Sequence, residues 1–160
     1  MKLGLSLSGG GVKGAAHIGV IKALEEENIK IDCIAGTSSG SIVATLYAIG
    51  LNADEIYKIF KKYCKKIKYI DFWNIIKLIY GLIFKRKIII DGLNSGKEIE
   101  KLINNIANEK NIKNISEVKM PLVIPTVDMC NRKVTCFSSK KKKKRNLSNT
   151  IFVESMNIGR

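Results

Sequence analysis

The chain has one histidine, His17, and four cysteines, Cys33, Cys64, Cys130 and Cys136, with no Cys-x-x-Cys pair among them. Structural zinc needs four closely spaced Cys or His ligands, so no metal is expected. Cys33 sits in an apolar run and reads as a small buried hydrophobe of a reducing compartment. Long apolar runs are missing too. The longest stretch, between Asp71 and Lys85, is broken by Lys77, whereas a bilayer span needs about 20 apolar residues. After Lys2 the N-terminus passes through Leu3-Gly4-Leu5-Ser6-Leu7 straight into glycines, with no signal-peptide core or cleavage site, so a cytoplasmic start is expected. There is no internal repeat and no sign of a second domain.

What is present suits one globular domain: 160 residues, 46% hydrophobic and 26% charged. A chain of this length buries roughly 70% of its unfolded surface and needs no disulfide staple. Acidic residues are the scarce charge, 14 against 28 basic, for a net +14. The excess is local. Residues 58–87 carry +9 and residues 129–160 carry +8, leaving the remainder at −3. Two basic segments on a mildly acidic body suit peripheral contact with an anionic membrane, although an AT-rich coding sequence would also enrich Lys, Ile and Asn.

Along the chain, residues 2–8 read as a buried strand ending in glycines, followed by a helix from Gly14 with Ile18, Ile21 and Leu24 on its apolar face and Glu25 to Asn28 at its end. Ile31 to Ala35 reads as a second strand, and Ile42 to Ile49 as a second helix ending at Gly50. Another helix opens at Asn52 or Ala53 and runs to about Cys64. Phe72 to Phe84 forms an amphipathic stripe, Ile88 to Ile90 an extended segment before the turn Asp91-Gly92, and Ser95, with Glu98, the cap of a further helix. Leu122 to Val127 and Val134 to Phe137 read as a hairpin joined through Cys130-Asn131-Arg132. Strands alternating with helices predict an α/β fold, a three-layer sandwich with a mainly parallel central sheet flanked by helices.

Two glycine motifs follow the first two strands. The first, Ser8-Gly9-Gly10-Gly11-Val12-Lys13-Gly14, contains Gly-x-Gly-x-x-Gly, and Asp32 is taken as the acid that would hold a ribose at the end of the next strand. The same backbone amides would hold any anion, including the oxyanion of an acyl transfer. The second motif, Gly36-Thr37-Ser38-Ser39-Gly40, is Gly-x-Ser-x-Gly on a strand-to-helix turn. This pattern sets Ser38 in a sharp elbow and lets the Ser39 amide donate to an oxyanion.

Ser-Gly-Gly-Gly-Val-Lys-Gly followed by Gly-Thr-Ser-Ser-Gly-Ser resembles the patatin-like phospholipases, and Pro121-Leu122-Val123-Ile124 to Phe137 resembles their later strands more loosely. The resemblance implies a serine acyl hydrolase of lipid esters, without cofactor, in which Ser38 is the nucleophile. Gly9, Gly10 and Gly11 would be oxyanion donors with Ser39, and Lys13, Gly14, Gly36 and Gly40 complete the motifs. It also implies a Ser-Asp dyad, the Asp standing in Asp-Gly-Gly or Asp-Gly-Ala, and no such triplet occurs here. Asp91-Gly92-Leu93 is the nearest string, and Asp128 closes a strand. His17 falls on a packing face and reads as structural.

The expected organisation is therefore an acyl hydrolase domain over 1–138, incomplete at its C-terminal side and impaired by the missing Asp, then a basic tail over 139–160. The lysine run Lys140 to Lys144 before that tail is compatible with a shifted reading frame or with an ordinary basic tail. Two other readings stay open: a dinucleotide or phosphate module at Gly9 to Gly14, and a non-catalytic membrane-binding fragment. Nucleic acid is not expected as a partner, because aromatic residues do not interleave the basic run.

Overall fold

The computed structural model describes residues 2–62, 93–128 and 133–140. The Phe72 to Phe84 stripe, Ile88 to Ile90, Asp91-Gly92, Cys64, Cys130 and the tail beyond Lys140 lie outside the described residues.

Four strands form one sheet in the order β1 (Gly4–Leu7), β2 (Cys33–Gly36), β3 (Leu122–Asp128) and β4 (Lys133–Ser138). The first three are parallel and β4 returns antiparallel beside β3. Helix α1 (Ala15–Glu26) joins β1 to β2, and α2 (Ser39–Ala48) leaves β2. Helix α3 covers 53–62 and α4 (Leu93–Glu109) precedes a 3-10 turn at Ile115–Glu117 that leads into β3. The expected α/β fold, a mainly parallel sheet flanked by helices, is the one observed.

Strand order explains where the core lies. Right-handed crossovers that advance one way across a sheet put their helices on one face. Leu7, Ile34, Leu122, Ile124 and Phe137 point to that face and are buried, together with Ile18 and Ile21 of α1, Val43 and Leu46 of α2, Ile56 and Phe60 of α3, and Ile103 of α4. Strand alternation sends Gly4, Ser6, Cys33 and Cys136 to the other face, where they are exposed. Two expectations are corrected here. Cys33 is exposed, because its register partner is Gly4, which offers no side chain to cover it. The first strand is four residues long and buried on one face only, with Leu7 enclosed and Leu5 half-buried.

Backbone stops and starts follow local chemistry. Asn28 takes φ 55 and ends α1, and Gly50 takes φ 95 and ends α2, both left-handed C-terminal residues. Asn52 and Glu55 open α3 as a capping box: the Asn52 carbonyl Oδ1 accepts from the Glu55 amide and the Glu55 carboxylate from the Asn52 amide, each at 2.9 Å. Glu25 of α1 also accepts from the Ala53 amide, and Lys22 pairs with Asp54 at 2.8 Å, so α1 and α3 lie side by side. Ser95, expected at the start of a helix, lies within α4, which is helical from Leu93.

Glu117 performs the equivalent task before β3. Its carboxylate accepts from the amides of Lys113 (2.7 Å) and Asn114 (3.3 Å) and from the Asn114 side-chain amide (2.7 Å), and these donors hold its pKa below the ordinary carboxylate value, the Asn114 side chain most of all. A carboxyl whose folded pKa is depressed contributes stability that is present at neutral pH and lost as pH falls through that lowered value. Glu117→Gln is expected to destabilise the chain at about pH 7 and to do so by less at about pH 3. Urea denaturation of both proteins at the two pH values checks this, and an equal gap at both would contradict it.

Candidate active site

The two glycine motifs leave the C-terminal ends of adjacent parallel strands, where Leu7 of β1 is registered with Gly36 of β2. The Thr37 amide donates to the Leu7 carbonyl at 3.0 Å, so the second loop is tied to the end of the first strand. Ser38 follows with φ 51 and ψ −124. A side chain with a Cβ holds such a conformation at a cost of about 1–3 kcal/mol. The start of α2 keeps it there: the Gly40 amide donates to the Thr37 carbonyl at 2.9 Å, and the Ser38 carbonyl accepts from the Ser41 amide at 2.9 Å and from the Ser41 hydroxyl at 2.6 Å.

Both glycines of Gly-x-Ser-x-Gly are required by space. A Cβ on Gly36 would land on the Gly40 carbonyl, and one on Gly40 would stand 2.6 Å from the carbonyl oxygens of Leu7 and Ser8. The elbow is thus pressed against the end of β1. The glycine-rich loop faces it directly, since a Cβ on Gly9 would lie 3.1 Å from the Ser38 Cβ and 3.7 Å from its Oγ.

Gly10 and Gly11 adopt φ 154 and φ 56 and turn the chain into a 3-10 turn at Gly11–Gly14. The first amides of that turn have no acceptor within it, and the same holds for the Ser39 amide at the start of α2. Gly14 is buried against Ser39, whose Oγ would lie 2.7 Å from a Cβ at that position, and the Ser39 hydroxyl has no hydrogen-bond partner among the described residues. Gly9, Gly10, Gly11, Lys13 and Ser38 are exposed. The structure brings every residue singled out from the two motifs to one end of the sheet.

Four other residues bear on the site. Asp32 precedes β2 instead of ending it, so it lies at the opposite end of the sheet from the glycine loop, where its carboxylate accepts the Leu3 amide at 2.8 Å. That placement removes the ribose-binding acid from the dinucleotide reading. Asp128 closes β3 at the same end of the sheet as Ser38; Ala35 pairs with Val123, which puts Asp128 well past the level of the elbow. Ser41 was not singled out from sequence, although its place three residues after Ser38, in the first turn of α2, is where a hydroxyl reaches back to the preceding turn. His17 is half-buried and its Nε2 lies 2.8 Å from the Ser8 carbonyl. Among the described residues no group of three His, Cys, Asp or Glu side chains could hold a metal ion.

Strain at Ser38 and lack of space at Gly40 act in opposite directions on stability. Ser38→Gly is expected to stabilise the chain by about 1 kcal/mol, because the relieved strain exceeds the added freedom of the unfolded glycine. Gly40→Ala is expected to destabilise it by about 1–3 kcal/mol through overpacking against β1. Denaturant midpoints of the two variants against the parent measure both effects, and a destabilised Ser38→Gly would contradict the strain.

Comparison with known proteins gives this geometry a lineage. The chain is 46% identical over 74 residues to the lysophospholipase NTE1 of Meyerozyma guilliermondii, a match covering 46% of this chain and 5% of that protein. It is 60% identical over 48 residues to the lysophospholipase NTE1 of Mycosarcoma maydis, covering 30% and 2%. The chain therefore spans a small fraction of the length of these relatives. Among solved structures it is similar to ExoU from the type III secretion system of Pseudomonas aeruginosa in complex with SpcU, with a TM-score of 0.63 at 21% identity over 96% of this chain and 36% of the other. VipD from Legionella pneumophila gives a TM-score of 0.56 at 16% identity over 94% and 41%. At these identities the likeness is one of fold. The patatin-like phospholipase profile matches residues 5–154, from within β1 to beyond β4, and the chain belongs to that family.

Proposed function

We propose that the chain carries the nucleophile and the oxyanion hole of a serine acyl hydrolase acting on lipid acyl esters, the monoacyl phospholipids named for its relatives among them. The observation that carries this reading is the face-to-face approach of Gly9 and the strained Ser38 elbow. In the proposed reaction the Ser38 Oγ attacks the ester carbonyl carbon and gives up its proton. The negative charge that develops on the carbonyl oxygen is met by amides of the glycine loop, Gly9 to Gly11, and by the Ser39 amide at the start of α2, donors fixed before the reaction begins. Collapse of the tetrahedral intermediate expels the alcohol, which takes up a proton, and leaves an acyl ester on Ser38. Water attacks that ester, releases the fatty acid and restores the hydroxyl.

Within these 160 residues no Asp-Gly-Gly or Asp-Gly-Ala triplet supplies a base for Ser38. His17 does not fill the place through its Nε2, because a nitrogen bonded to a carbonyl oxygen carries the proton and has none to accept. The chain as it stands is therefore expected to be a slow enzyme. A fluorophosphonate ester should form a one-to-one adduct on Ser38 of the folded chain, located by peptide mass spectrometry, while turnover of a soluble aryl ester stays low. Ser38→Ala should abolish the adduct. Equal labelling of Ser38→Ala, or of the heat-denatured chain, would overturn the reading.

In the same proposal residues 1–138 constitute the hydrolase domain and 139–160 its basic tail. The two basic segments, 58–87 and 129–160, would hold the chain against anionic lipid, each Lys or Arg near the surface adding about 1 kcal/mol. The proposed contact is peripheral, through these basic segments; no described helix is long and apolar enough to cross a membrane. Cosedimentation with phosphatidylserine vesicles should be strong at about 0.1 M salt and fall away at about 1 M, where the screening length shrinks to about 3 Å. Binding that ignores salt would contradict it.

A further inference from the structure

We propose that His17 is a positioning residue for the oxyanion hole: by donating its Nε2–H to the Ser8 carbonyl it fixes the Ser8–Gly9 peptide plane and with it the direction of the Gly9 N–H. The inference rests on the acyl hydrolase reading, in which the Gly9 amide is one of the donors.

The carbonyls at the end of β1 are held by different means. That of Leu7 accepts the Thr37 amide, a backbone contact between neighbouring strands. That of Ser8 lies beyond the strand pairing, and the hydrogen bond described for it comes from the His17 side chain at 2.8 Å. The same carbonyl oxygen borders the first turn of α2, 2.6 Å from where a Cβ on Gly40 would be, so it is lodged between α1 and α2. The peptide bond to Gly9 is trans, as all described peptide bonds are. A trans peptide holds its C=O and N–H in opposite directions. With the Ser8 oxygen turned inward to the helices, the Gly9 N–H is turned outward, to the exposed side that Gly9 shares with Ser38.

Glycine makes this plane easy to lose. A flip of the Ser8–Gly9 peptide changes ψ at Ser8 and φ at Gly9, and Gly9 has no Cβ to resist it. After such a flip the site would present a carbonyl oxygen where it needs an N–H, a dipole of the wrong sign for a developing oxyanion. His17 opposes the flip from a rigid element, since it stands in the first turn of α1 beside the buried Ile18. The donor role needs a proton on Nε2, which the Nε2–H tautomer and the charged ring both supply.

The experiment has two arms. In the wild-type chain, nitrogen NMR of the single imidazole is expected to show Nε2 protonated and bonded; a neutral ring carrying its proton on Nδ1 would overturn the proposal without any variant. In the second arm, fluorophosphonate labelling of Ser38 is followed as a function of reagent concentration for wild type, His17→Phe and His17→Gln, with thermal melting as the check on folding. Loss of one oxyanion donor costs about 100-fold to 1,000-fold in rate. His17→Phe is expected to lower the limiting labelling rate by at least about tenfold with the half-saturating concentration little changed, and His17→Gln, which keeps an N–H at a similar reach, to recover most of it. Wild-type labelling by folded His17→Phe, or no recovery in a folded His17→Gln, would overturn the proposal alone. Failure of the wild type to label at all would instead overturn the serine reading, and this inference with it.

Discussion

Everything at the C-terminal edge of this sheet depends on one contact with no room to spare, that of the first turn of α2 against the end of β1. The carbonyls of Leu7 and Ser8 occupy the space a Cβ on Gly40 would need, and the Gly40 carbonyl occupies the space a Cβ on Gly36 would need. Because both partners are backbone, neither can give way as a side chain would. The turn from β2 into α2 is therefore made at a fixed height above the sheet, and Ser38, the residue at its apex, has to accept φ 51 and ψ −124. The approach of Gly9 to Ser38 follows from the same contact, since the strand pressed by Gly40 runs directly into the glycine loop.

A strained apex persists only if the elements on either side of it are held more firmly than the strain pulls. The strain at Ser38 costs about 1–3 kcal/mol, and full burial of one large aliphatic side chain returns about 1.5–3 kcal/mol. Ile34 stands two residues before Gly36 in β2, and Val43 and Leu46 lie in α2; all three are buried, against Leu122 and Ile124 of β3 in the same core. Two such side chains offset the elbow. Hydrogen bonds add direction to that anchoring, because the Ser41 amide and hydroxyl both take the Ser38 carbonyl and so fix the peptide that follows the strained residue.

What could be read in the sequence was whatever is decided within a few residues. The elbow was legible because the requirement for Gly36 and Gly40 is steric and local, and the hairpin of β3 and β4 because two β-branched runs stand a short connection apart. The ends of α1 and α2 were legible at Asn28 and Gly50 for the same reason. Misreadings came where a distant partner decides. Cys33 lies in an apolar run, yet its cover depends on residue 4, which is glycine. Asp32 looked like a ligand-holding acid from its distance to the glycine motif, but it stands just before β2, where its partner is the Leu3 amide at the far end of the sheet from the glycine loop. His17 was read as structural from its place on a packing face, and its acceptor, the Ser8 carbonyl nine residues back, carries no sequence signal at all.

Parallel topology also dictates what could complete the site. Strands β1, β2 and β3 end at one edge of the sheet, and the 3-10 turn and α2 begin there, so their unpaired amides gather at the same edge and favour negative charge. On the acyl hydrolase proposal, such an edge would stabilise an oxyanion and disfavour a positive charge beside Ser38. On that proposal a carboxylate suits the edge as the group that takes the Ser38 proton, since it becomes neutral on protonation, whereas a neutral base would become cationic there. Its approach is restricted, because Gly9 closes one side of Ser38 and the Gly36 to Gly40 turn closes the base. On the acyl hydrolase proposal, the group that takes the Ser38 proton would approach from the exposed side, over the ends of the strands.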